Sequence, residues 1–598
     1  MPAHDARLRE YLLSLLPTLS IFGLLGLLLF HGFTAIHADL GRHLRLGEII
    51  WQTAQVPDTN PFSFTQPDFP FVNHHWLSEV LFFGVWSAAG LAGLLGLKIV
   101  LLLSAVGLSF LAIPRRGWPA RIALLLAILV FIERTEVRPE ALSFALLGLY
   151  LCVLYHARYA APERVVPASL WLLPFAQLLW VNFHIYFFVG PFLFAVFALD
   201  RLLAGTTTGQ RRRLIAVGVA IGIATLANPR GLWGALEPFT ILGDYGYNVV
   251  ENQPLLSLRG YIGSNLSITS FYASALLLVG TSVFSLAQPR RRLFELVSAA
   301  FFLYAGFRML RNLPLYALGT LPILALQLED LGAAVGARWR PGLARVAPAA
   351  RALASIAVVG GAALVGMLLA QNRLYPALGS AKEFGLSVPN GGQLAVDFNE
   401  QHRIRGPMFN NYDIGGYLIW QLPEEPVFVD NRPEAYPTRF LQQVYRRVQT
   451  EPAAWKVLSA RLGIEFVFFS HHDATPWGQA FLTAMGRDPE WPVVYVNDTV
   501  VVFLRRTERH RELIDALEID AENAVERIEP EVQRASTDRL WSLARTQQLM
   551  ARFGWQDAAR HFGLGARSVK ASGERFTRSR DGRPSPATPR RVRSGRLR

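Results

Sequence analysis

Cysteine is almost absent: one residue in 598, Cys152, lies inside an apolar run. That excludes an intramolecular disulfide framework and a thiolate zinc cluster, and Cys152 reads as a small buried apolar residue. Charge is scarce too, at 17% of residues against 52% hydrophobic. A soluble chain of this length carries about 25% charge and spreads its apolar residues in short amphipathic stripes. A general nucleic-acid partner is also excluded. Of the formal net charge of +14, residues 570–598 supply +8 from ten Lys/Arg and two acids, so the rest is only mildly basic.

What the sequence has in abundance is long apolar runs, such as "YLLSLLPTLSIFGLLGLLLF" (11–30) and "ASIAVVGGAALVGMLLA" (354–370). A bilayer core of ~30 Å needs ~20 such residues as a helix. Runs able to span lie near 11–32, 94–113, 119–133, 140–157, 168–184, 186–203, 213–228, 268–287, 293–307, 312–328 and 352–371. The expected fold class is a polytopic α-helical membrane protein of about eleven transmembrane helices. In this reading 76–92 is an interfacial helix set apart by Glu79, and the first run, followed by no small-residue cleavage pattern, is a retained helix. Lys and Arg concentrate on the cytoplasmic side of short loops. Arg7/Arg9, Arg115/Arg116/Arg121, Arg158/Arg164, 209–213, 290–292 and 337–345 share one side under this topology. The N-terminus is then cytoplasmic, and 33–93, 133–140, 182–186, 229–267, 307–312 and everything after 371 face outward.

Residues 380–508 change character. "GQLAVDFN", "EPVFVDNR", "GIEFVFFSHH" and "WPVVYVNDTVVVFLRR" are short β-branched and aromatic runs bounded by Gly, Pro and Asn, which are strand signals. "PTRFLQQVYRRVQT" and "PAAWKVLSARLG" between them have helical spacing, so an extracytoplasmic α/β domain is expected. The expected organisation is a transmembrane domain over 1–372 with a first outer loop at 33–93, the α/β domain over 380–508, a polar helical extension over 509–567 and a basic disordered tail over 568–598.

Ionisable residues at the ends of spans are costly unless they face protein or a water-filled cavity. Here they collect on the outer face: Asp39 and His43; His74, His75 and Glu79; Arg134, Glu136, Arg138 and Glu140; Asn182 and His184; Asn228 and Arg230; Arg308, Arg311 and Asn312. Positive-inside bias depletes that face of arginine, so its arginines as a set ask for a reason, although any one of them also fits an ordinary interfacial ion pair. Transfer of a sugar from a lipid phosphate uses such a mixture. A carboxylate takes the acceptor's proton, for which Asp39 is the candidate. Fixed guanidinium groups hold the departing phosphate, for which Arg138, Arg230, Arg308 and Arg311 are candidates. His37, Asp39, His43, His74 and His75 invite a metal reading. Their loose spacing disfavours a structural zinc and leaves a weak Mg2+ or Mn2+ shared with substrate, with histidines hydrogen-bonding a sugar or Asp39 preferred.

At these residues the sequence resembles the bacterial GT-C-type membrane glycosyltransferases, the class of protein mannosyltransferases, aminoarabinose transferases and oligosaccharyltransferases. The resemblance covers roughly residues 1–510. Its motifs are Asp39, His43, Gly47, Pro57, "NPFSFT" (60–65) and "HHWLSE" (74–79), then "RPE" (138–140), "WVNFH" (180–184) and "NNYDIGGYLIW…VFVDNR" (410–432). It implies an inverting enzyme of the bacterial inner membrane, Asp39 as catalytic base, and a donor sugar on polyprenyl phosphate or diphosphate. The acceptor is a glycan, lipid or protein, and membrane lipids are further partners. Leu40 follows Asp39, so the acidic pair common in the class is absent. In "YDIGGYLIW" two glycines mark a turn or a close approach. Asp430 and Arg432 are acceptor-side candidates, although an ion pair fixing a turn is the better fit for the two. Two other function classes use a polar cavity among helices or an outer domain: a transporter or flippase, and a non-catalytic envelope assembly protein. Against the carrier, no pseudo-symmetric halves are visible and the polar residues concentrate in an outer loop.

Overall fold

The computed structural model describes residues 2–567 apart from 33–38, 133, 160–166, 241–245, 248, 261–264, 288–291, 379, 381, 389 and 536–538, with the side chains of 2–13, 240, 259–260 and 337–348 also outside the description. His37 and the basic tail, about which the sequence raises expectations, therefore lie outside the described residues. The chain forms two compact units: Met1–Val388 with Tyr412–Arg447, and Pro389–Asn411 with Val448–Arg598. Residues 412–447, which the strand signals assign to the α/β domain, group with the helical unit instead.

The first unit is built from α1 (Pro2–Leu29), α2 (Leu40–Thr53), α3 (Trp76–Leu111), α4 (Trp118–Phe131), α5 (Glu140–Tyr159), α6 (Leu172–Phe183), α7 (Val189–Leu203), α8 (Thr208–Leu226), α9 (Leu232–Thr240), α10 (Leu266–Leu286), α11 (Leu293–Arg308) and α12 (Leu313–Ala370). Among the described residues, six stretches are long and apolar enough to cross a membrane: 76–111, 140–159, 185–203, 266–286, 310–336 and 349–370. Shorter apolar helices cover 14–29, 118–131 and 168–183. This is a multi-pass membrane protein. Its core joins Leu25 of α1, Leu102 of α3, Leu124 of α4, Phe144 of α5, Trp180 of α6, Phe271 of α10 and Leu321 of α12. Outward faces stay apolar, as at Leu276, Val283 and Ile356, which suits lipid rather than water as the neighbour.

Three local expectations change. The segments 76–92 and 94–113 run together as α3, yet the helix breaks at Gly90 (φ 57°, ψ −150°), a conformation that glycine adopts at low cost. The expected loop at 337–345 is helical, part of the unbroken α12, in keeping with its Ala- and Arg-rich composition. Arg158, expected as a loop charge, sits half-buried in the last turn of α5 between Asp200 and Glu295, with its Nε 2.9 Å from Glu295 Oε1.

A polar brace ties the ends of several helices together. His31 Nε2 and Thr135 Oγ1 are 2.8 Å apart, and Lys382 Nζ donates to the same hydroxyl at 2.8 Å. Lys98, 3% exposed on α3, donates to the His31 carbonyl at 3.1 Å. An amine buried at that depth persists only with such partners. The brace fixes Thr135, and with it the short loop that leads into α5.

After α13 (Leu374–Ala377), the second unit opens with α14 (Asn390–Gln401) and holds a four-stranded sheet: β1 (Met408–Asn410), β2 (Phe466–Ser470), β3 (Val493–Val496) and β4 (Val500–Leu504), in the order β1-β2-β4-β3. β1 runs parallel to β2 and the other pairs are antiparallel. "GIEFVFFSHH" and "WPVVYVNDTVVVFLRR" thus form strands as expected, the latter a hairpin. "GQLAVDFN" does not: it lies in α14, where Gly392, Ala395, Val396 and Asn399 are buried at helical spacing. "EPVFVDNR" contributes a single bridge, Val427 to Ser63, and no ladder.

Candidate active site

The site is assembled around the start of α2. Asp39 is the residue before the first helical turn, and its side chain makes no capping bond. Its carboxylate is left for other partners: Asn431 Nδ2 donates to Oδ1 at 2.6 Å, while Arg42 Nη2 and Arg138 Nη1 stand 3.7 Å from Oδ1 and Oδ2. Arg42 lies three residues on, hence on the same helix face. One turn further in, His43 Nδ1 meets Glu79 Oε1 at 2.9 Å, and Asn73 Nδ2 donates to Glu79 Oε2 at 2.6 Å. A side chain at Gly47 would strike the Glu79 carbonyl at 2.1 Å, so the glycine sets how closely α2 crosses α3.

His43, His74, His75 and His184 form a row, with ring centroids 5.5 Å apart from His43 to His75, 4.0 Å from His74 to His75 and 5.2 Å from His75 to His184. Burial pushes the His74 imidazole down to about 4 and holds His75 well below its ordinary value, so both are neutral near pH 7. His184 Nδ1 lies 3.0 Å from Ser143 Oγ. Asn182 accepts from Trp76 Nε1 at 2.9 Å and donates to the Ala227 carbonyl at 2.8 Å, joining α6 to α3 and α8.

The loop between α4 and α5 brings the cations. Arg134 Nε donates to Glu140 Oε1 at 2.8 Å, and its Nη1 lies 2.9 Å from Glu251 Oε2. Arg138 Nη1 reaches both Glu251 oxygens at 3.0 Å. Burial works against ionisation of Glu251, but Arg134, Arg138 and Arg311 hold its carboxyl well below the usual range. Arg311 Nη1 donates to Asn252 at 3.1 Å.

The third part is α15 (Tyr412–Gln421) with the segment that follows it. A Cβ on Gly41 would come within 2.5 Å of the Gly416 carbonyl, and a Cβ on Gly416 within 2.7 Å of Asn431 Oδ1. The paired glycines of "YDIGGYLIW" therefore serve a close approach inside a helix, with α2 on one side and 429–431 on the other. Residues 62–65 zip onto 427–428: Val427 N donates to the Phe62 carbonyl at 3.0 Å and Thr65 Oγ1 to the Phe428 carbonyl at 2.8 Å. Next to this zipper Arg432, 0% exposed, donates to both Asp430 oxygens at 2.7 Å and to Asn60 Oδ1 at 2.7 Å, with Phe62 and Phe71 rings at 5.0 and 4.8 Å. Tyr436 donates to Asp430 Oδ2 at 2.7 Å.

Several buried polar atoms here have no hydrogen-bond partner among the described residues: Arg42 Nε and Nη1, Arg134 Nη2, Arg311 Nε, Asn431 Oδ1 and the Tyr412 hydroxyl. Arg42 is 6% exposed, and a buried guanidinium with two idle donors calls for an anion or water. Burial, then the negative charges of Asp39 and Glu251, push the Asp413 carboxyl up to about 6. The folded chain then holds this proton more tightly than the unfolded one. Stability is therefore lost as the pH rises from about 4 to about 6 and is not regained above. Asp413→Asn is expected to raise the thermal midpoint at roughly pH 7.5 and to change it little near pH 4. Equal midpoints for the two proteins at the higher pH would refute this.

The structure brings Asp39, Arg138, Glu140 and Arg311 into one network, and His43, His74, His75, Glu79 and His184 into the histidine row beside it. Arg230 and Arg308 are exposed; Arg230 reaches only the Phe71 carbonyl at 3.3 Å, and Arg308 has no hydrogen bond or ion pair among the described residues. Each of these two side chains lies outside the network. Asp430 and Arg432 are fully enclosed and paired with each other, which fits the ion pair that fixes a turn better than an acceptor contact. Sequence reasoning missed Arg42, Glu251, Tyr412, Asp413 and Asn431. Arg42 was findable from its i+3 spacing to Asp39, and Asn431 from its place between Asp430 and Arg432; Glu251 lies in a loop with no pattern. Among the described residues no three His, Cys, Asp or Glu side chains converge on a metal position. His43 Nδ1 is taken by Glu79 and His74 Nδ1 faces the Val72 carbonyl at 3.2 Å. The described donor set does not fit the Mg2+ or Mn2+ alternative.

No family model and no curated protein matches the sequence. Among solved structures the chain is similar to the oligosaccharyltransferase AglB of Archaeoglobus fulgidus, determined with an inhibitory peptide and a dolichol-phosphate: TM-score 0.51, 11% identity, 81% of this chain and 73% of that one covered. It is also similar to ArnT of Cupriavidus metallidurans, with TM-score 0.44, 15% identity and coverages of 83% and 98%. At these identities the likeness, carried by AglB, is one of fold. The chain has the GT-C fold that the sequence resemblance implies.

Proposed function

We propose that this protein is a membrane glycosyltransferase that moves a sugar from a polyprenyl-phosphate-type donor to an acceptor hydroxyl, with Asp39 as general base. The observation that supports it most is Arg42: a buried guanidinium with two idle nitrogens, beside a carboxylate that no cap consumes. In this reading the acceptor oxygen attacks the anomeric carbon as its proton passes to Asp39. The bond from that carbon to the phosphate oxygen breaks, and the electron pair stays on the phosphate. Arg42, with Arg311 and Arg134 behind it, meets that charge with donors already in place. A single displacement with one base inverts the anomeric centre. Neutral histidines beside the site offer hydrogen bonds to the sugar without adding charge. The fold, shared with an enzyme solved with a dolichol-phosphate, supports the donor class, and the arginine distribution supports a bacterial inner-membrane enzyme working on the outer face.

The test is phosphate-lipid release by the purified chain in nanodiscs, with a panel of polyprenyl-phosphate sugars. Wild type is expected to turn over at least one donor, and Arg42→Gln to lower that turnover by ~10²–10³-fold. A folded protein that releases lipid phosphate from none of the donors, or an Arg42→Gln variant as active as wild type, would defeat the proposal.

A further inference from the structure

Asp39 has two different surroundings. Guanidinium groups flank it from α2 and from the loop before α5, whereas the segment 412–434 offers an amide, a phenol and carboxylates. Asn431 holds Asp39 at 2.6 Å with its amide nitrogen, and its buried Oδ1 has no partner among the described residues. Tyr412 is 3% exposed and its hydroxyl is likewise without a partner. Its ring stacks on Tyr247 at 4.0 Å between centroids. Asp413 feels the charges of Asp39 and Glu251, Glu434 that of Arg42, and Tyr412 those of Glu434, Asp413 and Asp39. The Gly41 and Gly416 contact brings the middle of α15 against the start of α2, on the side from which Asn431 reaches Asp39.

We infer that Tyr412, Asp413, Asn431 and Glu434 form the acceptor subsite, and that it takes a neutral carbohydrate hydroxyl. The inference rests on the transferase reading above and names the acceptor class within it. Charge narrows the choice: an anionic acceptor meets Asp413 and Glu434, and a cationic one meets Arg42 and Arg138. What lacks a partner among the described residues on this side is the Asn431 carbonyl and the Tyr412 hydroxyl, which together with the nearby carboxylates suit a molecule rich in O–H donors. One of those hydroxyls, lying against Asp39, becomes the nucleophile; the others bind the neighbouring acceptors. Tyr247, half-buried and stacked on Tyr412, supplies a flat apolar face of the kind a sugar ring covers.

The experiment needs no donor, so it separates this inference from the transferase reading. Saturation-transfer NMR is recorded on the full chain with methyl α-glucoside, methyl α-mannoside and methyl β-galactoside, and with a neutral peptide containing Ser, Thr and Asn. At least one glycoside is expected to bind. Tyr412→Phe and Glu434→Leu are expected to weaken it roughly three- to tenfold each, and their melting profiles check folding. Glu434→Gln replaces Glu434→Leu if the latter unfolds. Absence of glycoside binding, or binding that both variants leave intact, overturns the inference even if lipid phosphate release is found. Tyr412-dependent binding of the peptide alone overturns the carbohydrate assignment. Glycoside binding with no turnover of any donor sustains the subsite while sinking the transferase reading.

Discussion

Asp39→Asn is expected to lower sugar transfer by ~10²–10⁴-fold while leaving the protein folded and its donor binding near wild type. The size follows from the role. An amide is close to the carboxylate in shape, so its carbonyl oxygen can still accept from Asn431 Nδ2, but an amide cannot take the acceptor's proton. Arg42 and Arg138 stand 3.7 Å from Asp39, at ion-pair range without a tight hydrogen bond, so their positions depend little on it. The loss therefore belongs in kcat more than in KM. Single-turnover transfer measured with donor already bound checks this. A variant that transfers within threefold of wild type would remove Asp39 from the chemistry; one that no longer binds donor would make it a structural residue.

Arg432→Met is expected to carry the largest cost in stability, about 3–5 kcal/mol, because it leaves the fully buried Asp430 carboxylate without its cation. It also removes the donor to Asn60 and the cation between Phe62 and Phe71. Pairing it with Asp430→Leu is expected to recover much of that loss, since the two residues share one network and their effects do not add. Chemical denaturation of the two single variants and the double variant provides the cycle. A single variant as stable as wild type would show that the pair is not what anchors 429–436.

The sequence made the broad architecture readable because the bilayer imposes a crude code: long apolar helices with arginines at their ends. Elements whose pattern is local were readable as well, such as the β3–β4 hairpin around Asn497. Residues 390–401 misled because β-branched and aromatic residues imitate a strand while the burial period is helical. The site was half legible. Asp39, Arg138 and the histidine row stand close to spans, where polar residues are conspicuous. Arg42 was hidden among the other charges of "HADLGRHLRLGE". Asp430 and Arg432 drew attention as charged residues at an apparent strand end, yet their partner Asn60 lies 372 residues away in the chain. No local pattern announces a pairing of that range, and the quieter Asn431 between them proved to be the residue that touches Asp39.

The bond between Asn431 and Asp39 spans 392 positions of the chain, and synthesis has a direction. Asp39 is made within the first tenth of the protein, but its amide partner follows only after most of the chain has been made. At about 5–20 residues per second the interval is on the order of 20–80 s. Throughout it the bundle is being threaded into the bilayer with its carboxylate present and its far wall missing. Until Asn431 arrives, the Asp39 carboxylate goes without the amide that holds it in the folded protein.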